Sequence, residues 1–140
     1  MSRTFNSNTR YIQIAFNHTI QEVRRILPQI PLDPRIIIEA GTPYIKREGH
    51  NGIRLIRRYW QGLIVADLKT TDGAQEEVAM AYNAGANAVT AAGTAPKDTL
   101  DYFSETCDKY NILSMIDMLG QDNPLKKLFL LKTKPKGVVI

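Results

Sequence analysis

Six short apolar runs begin at Tyr11, Arg35, Leu63, Asn87, Ile112 and Gly137. They recur about every 24 to 28 residues, leaving room for one helix between each pair. A parallel neighbour can be reached only through a crossover of a dozen or more residues, so this alternation predicts a parallel sheet with right-handed connections. The expected fold class is therefore α/β, with about six βα units. A complete eight-fold barrel needs at least about 200 residues, and the chain has 140. Spacing alone leaves open whether the sheet is part of a barrel or an open doubly wound sheet, since both place their functional groups at the carboxyl ends of the strands.

The third run, Leu63-Ile64-Val65-Ala66-Asp67-Leu68-Lys69-Thr70-Thr71-Asp72, gains three charges as it ends. Side chains alternate along a strand, so Asp67 and Lys69 are expected on one side and Leu68 on the other. Desolvating a carboxylate and an ammonium there is costly, and their attraction offsets it only in part. The pair reads either as a structural ion pair or as a functional site, where such perturbed groups cluster. The other runs also finish at polar or small residues: Asn17, Glu39, Gly93 and Asp117.

Between the runs, helix signals are clear. Thr19-Ile20-Gln21-Glu22 has capping-box spacing ahead of Val23 and Leu27. Residues Lys46, Arg47, Gly49 and Gly52 suggest a loop before a helix that turns Ile53, Ile56 and Trp60 inward. Asp72-Gly73-Ala74-Gln75 is a second capping-box candidate, with Val78 and Ala81 on its buried face and Gly85 placed to end the helix. Leu100, Phe103, Cys107 and Tyr110 fall at helical spacing. Asn123-Pro124 reads as an N-cap followed by proline, with Leu125, Leu128 and Leu131 as the buried stripe of a last helix. Residues 1 to 10 are polar and are expected to form an N-terminal arm, with the domain proper spanning 11 to 140.

A chain 44% hydrophobic and 23% charged is ordinary for one globular domain. No apolar stretch reaches the roughly 18 to 20 residues of a membrane span, and Met1 to Thr9 lacks a signal-peptide core, so a cytoplasmic protein is expected. The single cysteine, Cys107, excludes an internal disulfide. A net charge of +4 raises nucleic acid as a ligand. However, Arg24, Arg25, Arg54, Arg57, Arg58, Lys132, Lys134 and Lys136 are scattered rather than gathered in a stripe, which fits solvated helix faces or a mild attraction for an anionic substrate. His18 and His50 stand apart from each other and from Cys107, so no zinc site is indicated. Glycine-rich phosphate motifs of the GxxxxGK or GxGxxG kind are also missing. Two carboxylates, Glu39 and Asp67, end neighbouring runs and together suit a hard divalent cation, although Glu39 paired simply with Lys69 or Arg35 remains the alternative.

Glu39-Ala40-Gly41-Thr42-Pro43 and the Asp67-x-Lys69-x-x-Asp72 pattern after an apolar strand resemble the orotidine 5'-monophosphate decarboxylase suprafamily. Ile38 to Pro43 and Val65 to Asp72 are most similar to the 3-hexulose-6-phosphate synthases within it. The likeness runs from about Tyr11 to Ile140. It implies a (β/α)8 TIM barrel, incomplete here, with roughly its last quarter absent and two open sheet edges that homodimerisation or a higher homo-oligomer would cover.

The implied reaction is the Mg²⁺-dependent addition of formaldehyde to D-ribulose 5-phosphate through an enediolate. Decarboxylation of a keto-gulonate phosphate or orotidylate is the alternative within the suprafamily, and a truncated barrel without turnover is the non-catalytic one. By the same resemblance Glu39 and Asp67 would hold Mg²⁺, Lys69 would stabilise the enediolate, and Asp72 would reach into a partner's site. Asn17, Thr42, Thr90 and Asp117 would line the sugar-phosphate site. Asn17 departs from the Asp common in relatives, and an amide cannot act as a base. Tyr44 replaces a leucine common there. The phosphate loops, and a histidine linked with proton transfer, would follow Ile140.

Overall fold

The computed structural model describes residues 5–140. Six parallel strands stand in sequential order: β1 (Ile12–Phe16), β2 (Ile36–Ala40), β3 (Leu63–Thr70), β4 (Ala88–Ala92), β5 (Leu113–Asp117) and β6 (Gly137–Val139). Five helices alternate with them: α1 (Ile20–Ile26), α2 (Thr42–Tyr59), α3 (Ala74–Ala84), α4 (Lys97–Tyr110) and α5 (Pro124–Leu130). Sequential order with one helix per crossover excludes the open doubly wound alternative, in which strand order reverses. The sheet instead curls into an incomplete barrel. Among the described residues β1 pairs only with β2, and β6 only with β5, so both edges are open.

Strand alternation divides the apolar side chains into two packed layers. Ile38, Ile64, Ala66, Val89, Ala91 and Ile116 face the helices and meet Val23, Ile53, Ile56, Trp60, Val78, Leu100 and Phe103. Ile37, Leu63, Val65 and Ala88 face the other way, joined by Leu113, Met115 and Tyr11. Phe5 closes this second layer, its ring centroid 5.9 Å from that of Tyr11, while the Asn6 backbone N–H donates to the Tyr11 hydroxyl at 2.8 Å. The described part of the arm is thus a strap; residues 1–4 lie outside the described residues.

Local signals act largely as their chemistry predicts. The Thr19 hydroxyl accepts from the Glu22 N–H at 3.2 Å, the Asn123 side chain accepts from the Lys126 N–H, and Gly85 ends α3 at φ 101. Cys107 is buried, and burial, with a smaller contribution from Asp108, pushes its thiol up to about 12, which suits packing rather than reactivity. No helix among the described residues is long and apolar enough to cross a membrane.

Four expectations need correction. The loop foreseen around Lys46 to Gly52 is helix: α2 begins directly at Thr42 and kinks at Gly49, whose φ of 60 and ψ of −150 leave the helical region. The kink accommodates Tyr44, which is fully buried and donates its hydroxyl to the Gly52 carbonyl at 3.0 Å. Asp72 does not cap α3, because Gly73 occupies the cap position and the Gln75 amide turns to the Tyr110 hydroxyl instead. In α5 no residue is fully buried, and Leu125 is 67% exposed; Leu128 is partly buried against the core, and Leu131, just past the helix, is buried as foreseen. Finally, Arg57 is not a solvated helix residue. Its guanidinium donates to the carbonyls of Gly85, Trp60 and Gly62 and to Asn87 Oδ1 at 2.6–2.9 Å, tying together the amino-terminal end of the sheet.

Candidate active site at the carboxyl ends of the strands

Lys69 is the hub of a charged cluster at the opposite end of the sheet. Its Nζ lies 3.3 Å from Asp67 Oδ1 and 3.2 Å from Oδ2, and it also pairs with Asp117 Oδ2 at the end of β5. Asp67 and Lys69 do fall on one side of β3, as alternation requires, but the backbone between them is irregular. From Ala66 to Thr70, β3 advances four residues while β4 advances two, from Val89 to Ala91. Lys69 sits in this extruded segment with φ 47, a left-handed backbone that non-glycine residues adopt mostly where surrounding structure imposes it.

Two threonines hold Asp67. The Thr42 hydroxyl, at the first residue of α2, lies 2.8 Å from both the Asp67 carbonyl and Oδ2, and its single proton serves one of them at a time. The Thr90 hydroxyl donates to Asp67 Oδ1 at 2.6 Å and accepts from the Lys69 N–H at 3.0 Å. Asp117, buried at 8% exposure, also accepts from the Leu119 N–H at 2.9 Å. Burial opposes ionisation of Asp117, but the Lys69 hydrogen bond and the Leu119 N–H together outweigh it and hold the carboxyl below its ordinary range. Burial likewise pulls on the Lys69 ammonium, and its hydrogen bonds to Asp117 and Asp67 more than offset this, so the lysine titrates above its usual value.

Glu39, next to last in β2, lies on the same rim and accepts a hydrogen bond from the Gln13 amide on β1. Its carboxyl is pushed up, chiefly by burial and further by the charges of Asp67 and Asp117, while Gln13 and Lys69 act the other way. Three carboxylates therefore face one ammonium, and a local excess of negative charge with oxygen donors suits a hard divalent cation. No group of three or more His, Cys, Asp or Glu able to hold a metal occurs among the described residues, so a cation here would rest on the Glu39 and Asp67 pair with water or substrate completing its shell.

The fold thus brings together Glu39, Asp67, Lys69, Thr42, Thr90 and Asp117. Asn17 and Asp72 stay outside the cluster. Asn17 is exposed and lies against Gly41, where an added Cβ would sit 1.9 Å from Asn17 Oδ1. Asp72 is exposed, with Oδ1 accepting from the Gly73 N–H at 2.7 Å. Sequence reasoning missed Gln13. The available signal was a polar residue in the middle of an apolar run, two positions from Ala15, which pairs with Glu39. The left-handed backbone at Lys69 had no such signal, since lysine carries no preference for it.

The family described as Orotidine 5'-phosphate decarboxylase / HUMPS matches residues 10–138. The bifunctional enzyme Fae/Hps of Methanocaldococcus jannaschii is 42% identical over 131 residues, which cover 93% of this chain and 34% of that protein. Among solved structures, 3-hexulose-6-phosphate synthase from Salmonella typhimurium superposes with a TM-score of 0.78 at 30% identity, covering 86% of this chain and 57% of that one. 3-Keto-L-gulonate-6-phosphate decarboxylase from Vibrio cholerae superposes at 0.71 with 26% identity, covering 77% and 51%. The chain therefore spans about a third of the curated relative and little more than half of these solved structures.

Proposed function

The chain belongs to the Orotidine 5'-phosphate decarboxylase / HUMPS family, and from that premise we propose that its rim serves a synthase of the 3-hexulose-6-phosphate type. The observation that carries this reading is Lys69 held between Asp67 and Asp117 beside Glu39. In the reaction a proton leaves the sugar carbon next to the carbonyl of D-ribulose 5-phosphate, and the resulting enediolate carbon bonds to the carbon of formaldehyde. Negative charge passes from the enediolate oxygen to the former aldehyde oxygen, which takes up a proton. A fixed ammonium in a partly dry site stabilises such a charge because its orientation is already set before the reaction. Lys69 meets that condition: its carboxylate partners keep it protonated, and the structure around Asp67 keeps it in place.

Glu39 and Asp67 are the residues proposed to hold Mg²⁺, which would supply Lewis-acid polarisation of the sugar oxygens when bound. The excess of carboxylate over ammonium at the rim supports this assignment. Thr42, Asp117 and, farther out, Asn17 are proposed to border the substrate, with Thr90, 2% exposed and hydrogen-bonded to Asp67 and the Lys69 N–H, set behind them. Exposed Asp72 is free to reach a second subunit, so a homodimer is part of the reading, as is a cytoplasmic location. Residues 11–140 are taken as one partial barrel domain. Because both sheet edges are open, full activity is proposed to require further βα units or a partner that covers them.

The test is formaldehyde-dependent consumption of ribulose 5-phosphate with Mg²⁺, with Asp67→Ala as the control. Turnover that Asp67→Ala abolishes supports the reading. Carbon dioxide release from a keto-gulonate phosphate, without aldol activity, would replace it with the decarboxylase alternative. Silence from this chain, alongside turnover by a version extended through two more βα units, would place the activity in the longer protein.

A further inference from the structure

At the extruded segment of β3, the Lys69 N–H points to Thr90 Oγ1 at 3.0 Å rather than to a backbone carbonyl of β4. The same oxygen gives its proton to Asp67 Oδ1 at 2.6 Å. A hydroxyl has one proton to donate and lone pairs to accept with, so these two bonds use Thr90 in a single, defined sense. Thr90 is 2% exposed, which leaves little room for water to substitute. Its hydroxyl therefore ties the left-handed backbone of Lys69 to the Asp67 carboxylate, a link separate from the ion pair that the Lys69 side chain makes with the same carboxylate.

We infer that Thr90 is a positioning residue, whose hydroxyl locks the extruded segment of β3 so that the Lys69 ammonium stays between Asp67 and Asp117. Thr42 touches the same carboxylate and the Asp67 carbonyl at the start of the segment but makes no hydrogen bond to the Lys69 N–H, which is left to Thr90. The structural part of this inference needs no turnover. Its catalytic consequence rests on the function proposed above.

The experiment is amide hydrogen exchange at Lys69, read by NMR in the intact chain, in Thr90→Val, Thr90→Ser and Thr42→Val. Loss of one buried hydrogen bond is expected to speed Lys69 exchange about tenfold in Thr90→Val, with Thr90→Ser restoring most of the protection and Thr42→Val leaving it unchanged. Equal protection in the intact chain and Thr90→Val, or equal acceleration by Thr42→Val, would overturn the inference. Should Thr90→Val fail to fold, the intact chain still decides: a Lys69 amide exchanging as fast as an unprotected one refutes the lock. Where turnover is measurable, Thr90→Val is expected to lower kcat with KM little changed. If the aldol reaction proves absent while the exchange pattern holds, the proposed function fails and the lock stands.

Discussion

Each end of the sheet gathers polar groups around a cation, and the hydrogen-bond acceptors seen at the two ends differ in kind. At the amino-terminal end Arg57 donates to the carbonyls of Trp60, Gly62 and Gly85 and to the Asn87 amide oxygen, neutral acceptors in the turns before β3 and β4. At the carboxyl end Lys69 faces charged carboxylates, its own backbone is left-handed, and Glu39 is pushed away from its ordinary ionisation. The first arrangement closes hydrogen bonds and stabilises the fold. The second stabilises the Lys69 and Asp117 charges but holds the Glu39 carboxylate at an electrostatic cost, in keeping with stability at the amino-terminal face of such sheets and chemistry at the carboxyl face.

The contrast breaks most readily at Lys69. Lys69→Met is expected to reduce aldol turnover about 10²- to 10³-fold, by analogy with the loss of other preorganised charge stabilisers, while thermal unfolding changes far less; comparable losses of both would erase the distinction between the two ends. Arg57→Met is the mirror experiment, expected to cost about 3 kcal/mol because several backbone carbonyls lose their donor, with activity per folded molecule retained. Denaturant titration followed by assay of the folded fraction checks it.

The pH dependence sharpens the comparison. Asp117 is held below its ordinary value of 3.8, so its stabilisation is fully present above that pH and is lost as pH falls through the lowered folded value. Glu39 is raised above 4.5, so it favours the folded state at low pH and loses that advantage as pH rises from 4.5 through the raised value. Glu39→Gln should therefore raise the Tm at pH 7, modestly because the site is partly solvated, and the gain should fade near pH 4. Asp117→Asn should lower it at pH 7. Thermal melts across pH 3 to 8 with identical slopes for both variants would remove the claim of an electrostatic cost at Glu39. The smallest effect is expected away from both ends: Tyr44→Phe removes one buried hydrogen bond to Gly52 and should cost about 1 kcal/mol, leaving turnover unchanged.

Much of this was legible in the residues. Apolar runs at regular spacing located all six strands, Gly85 and Asn123 marked helix ends, and the polar residues closing each run marked the functional rim. The failures have physical causes. Gly49 and Gly52 looked like loop residues because glycine is costly in a helix, yet one supplies a kink and the other makes room for the Tyr44 ring, since an added Cβ there would meet it at 2.7 Å. Leu125 looked buried from helical spacing alone, but α5 lies at the open side of the sheet, where β6 has no further neighbour. Arg57 looked solvated because most of its acceptors are backbone carbonyls, two just past its own helix and one in the distant Gly85 turn, which side-chain patterns do not record.

The sequence by itself determined the strand and helix order, the parallel sheet and the identity of the charges at its carboxyl ends, because periodicity and alternation are local properties of the chain. Tertiary structure alone decided that Lys69 has two carboxylate partners rather than one, that Thr90 bridges its backbone to Asp67, and that Arg57 closes the far end. Apart from the neighbouring Asp67–Lys69 pair, the contacts at Lys69, Thr90 and Gly85 join residues separated by 21 to 48 positions, and only the curl of the sheet and the irregular register of β3 bring them within hydrogen-bonding distance.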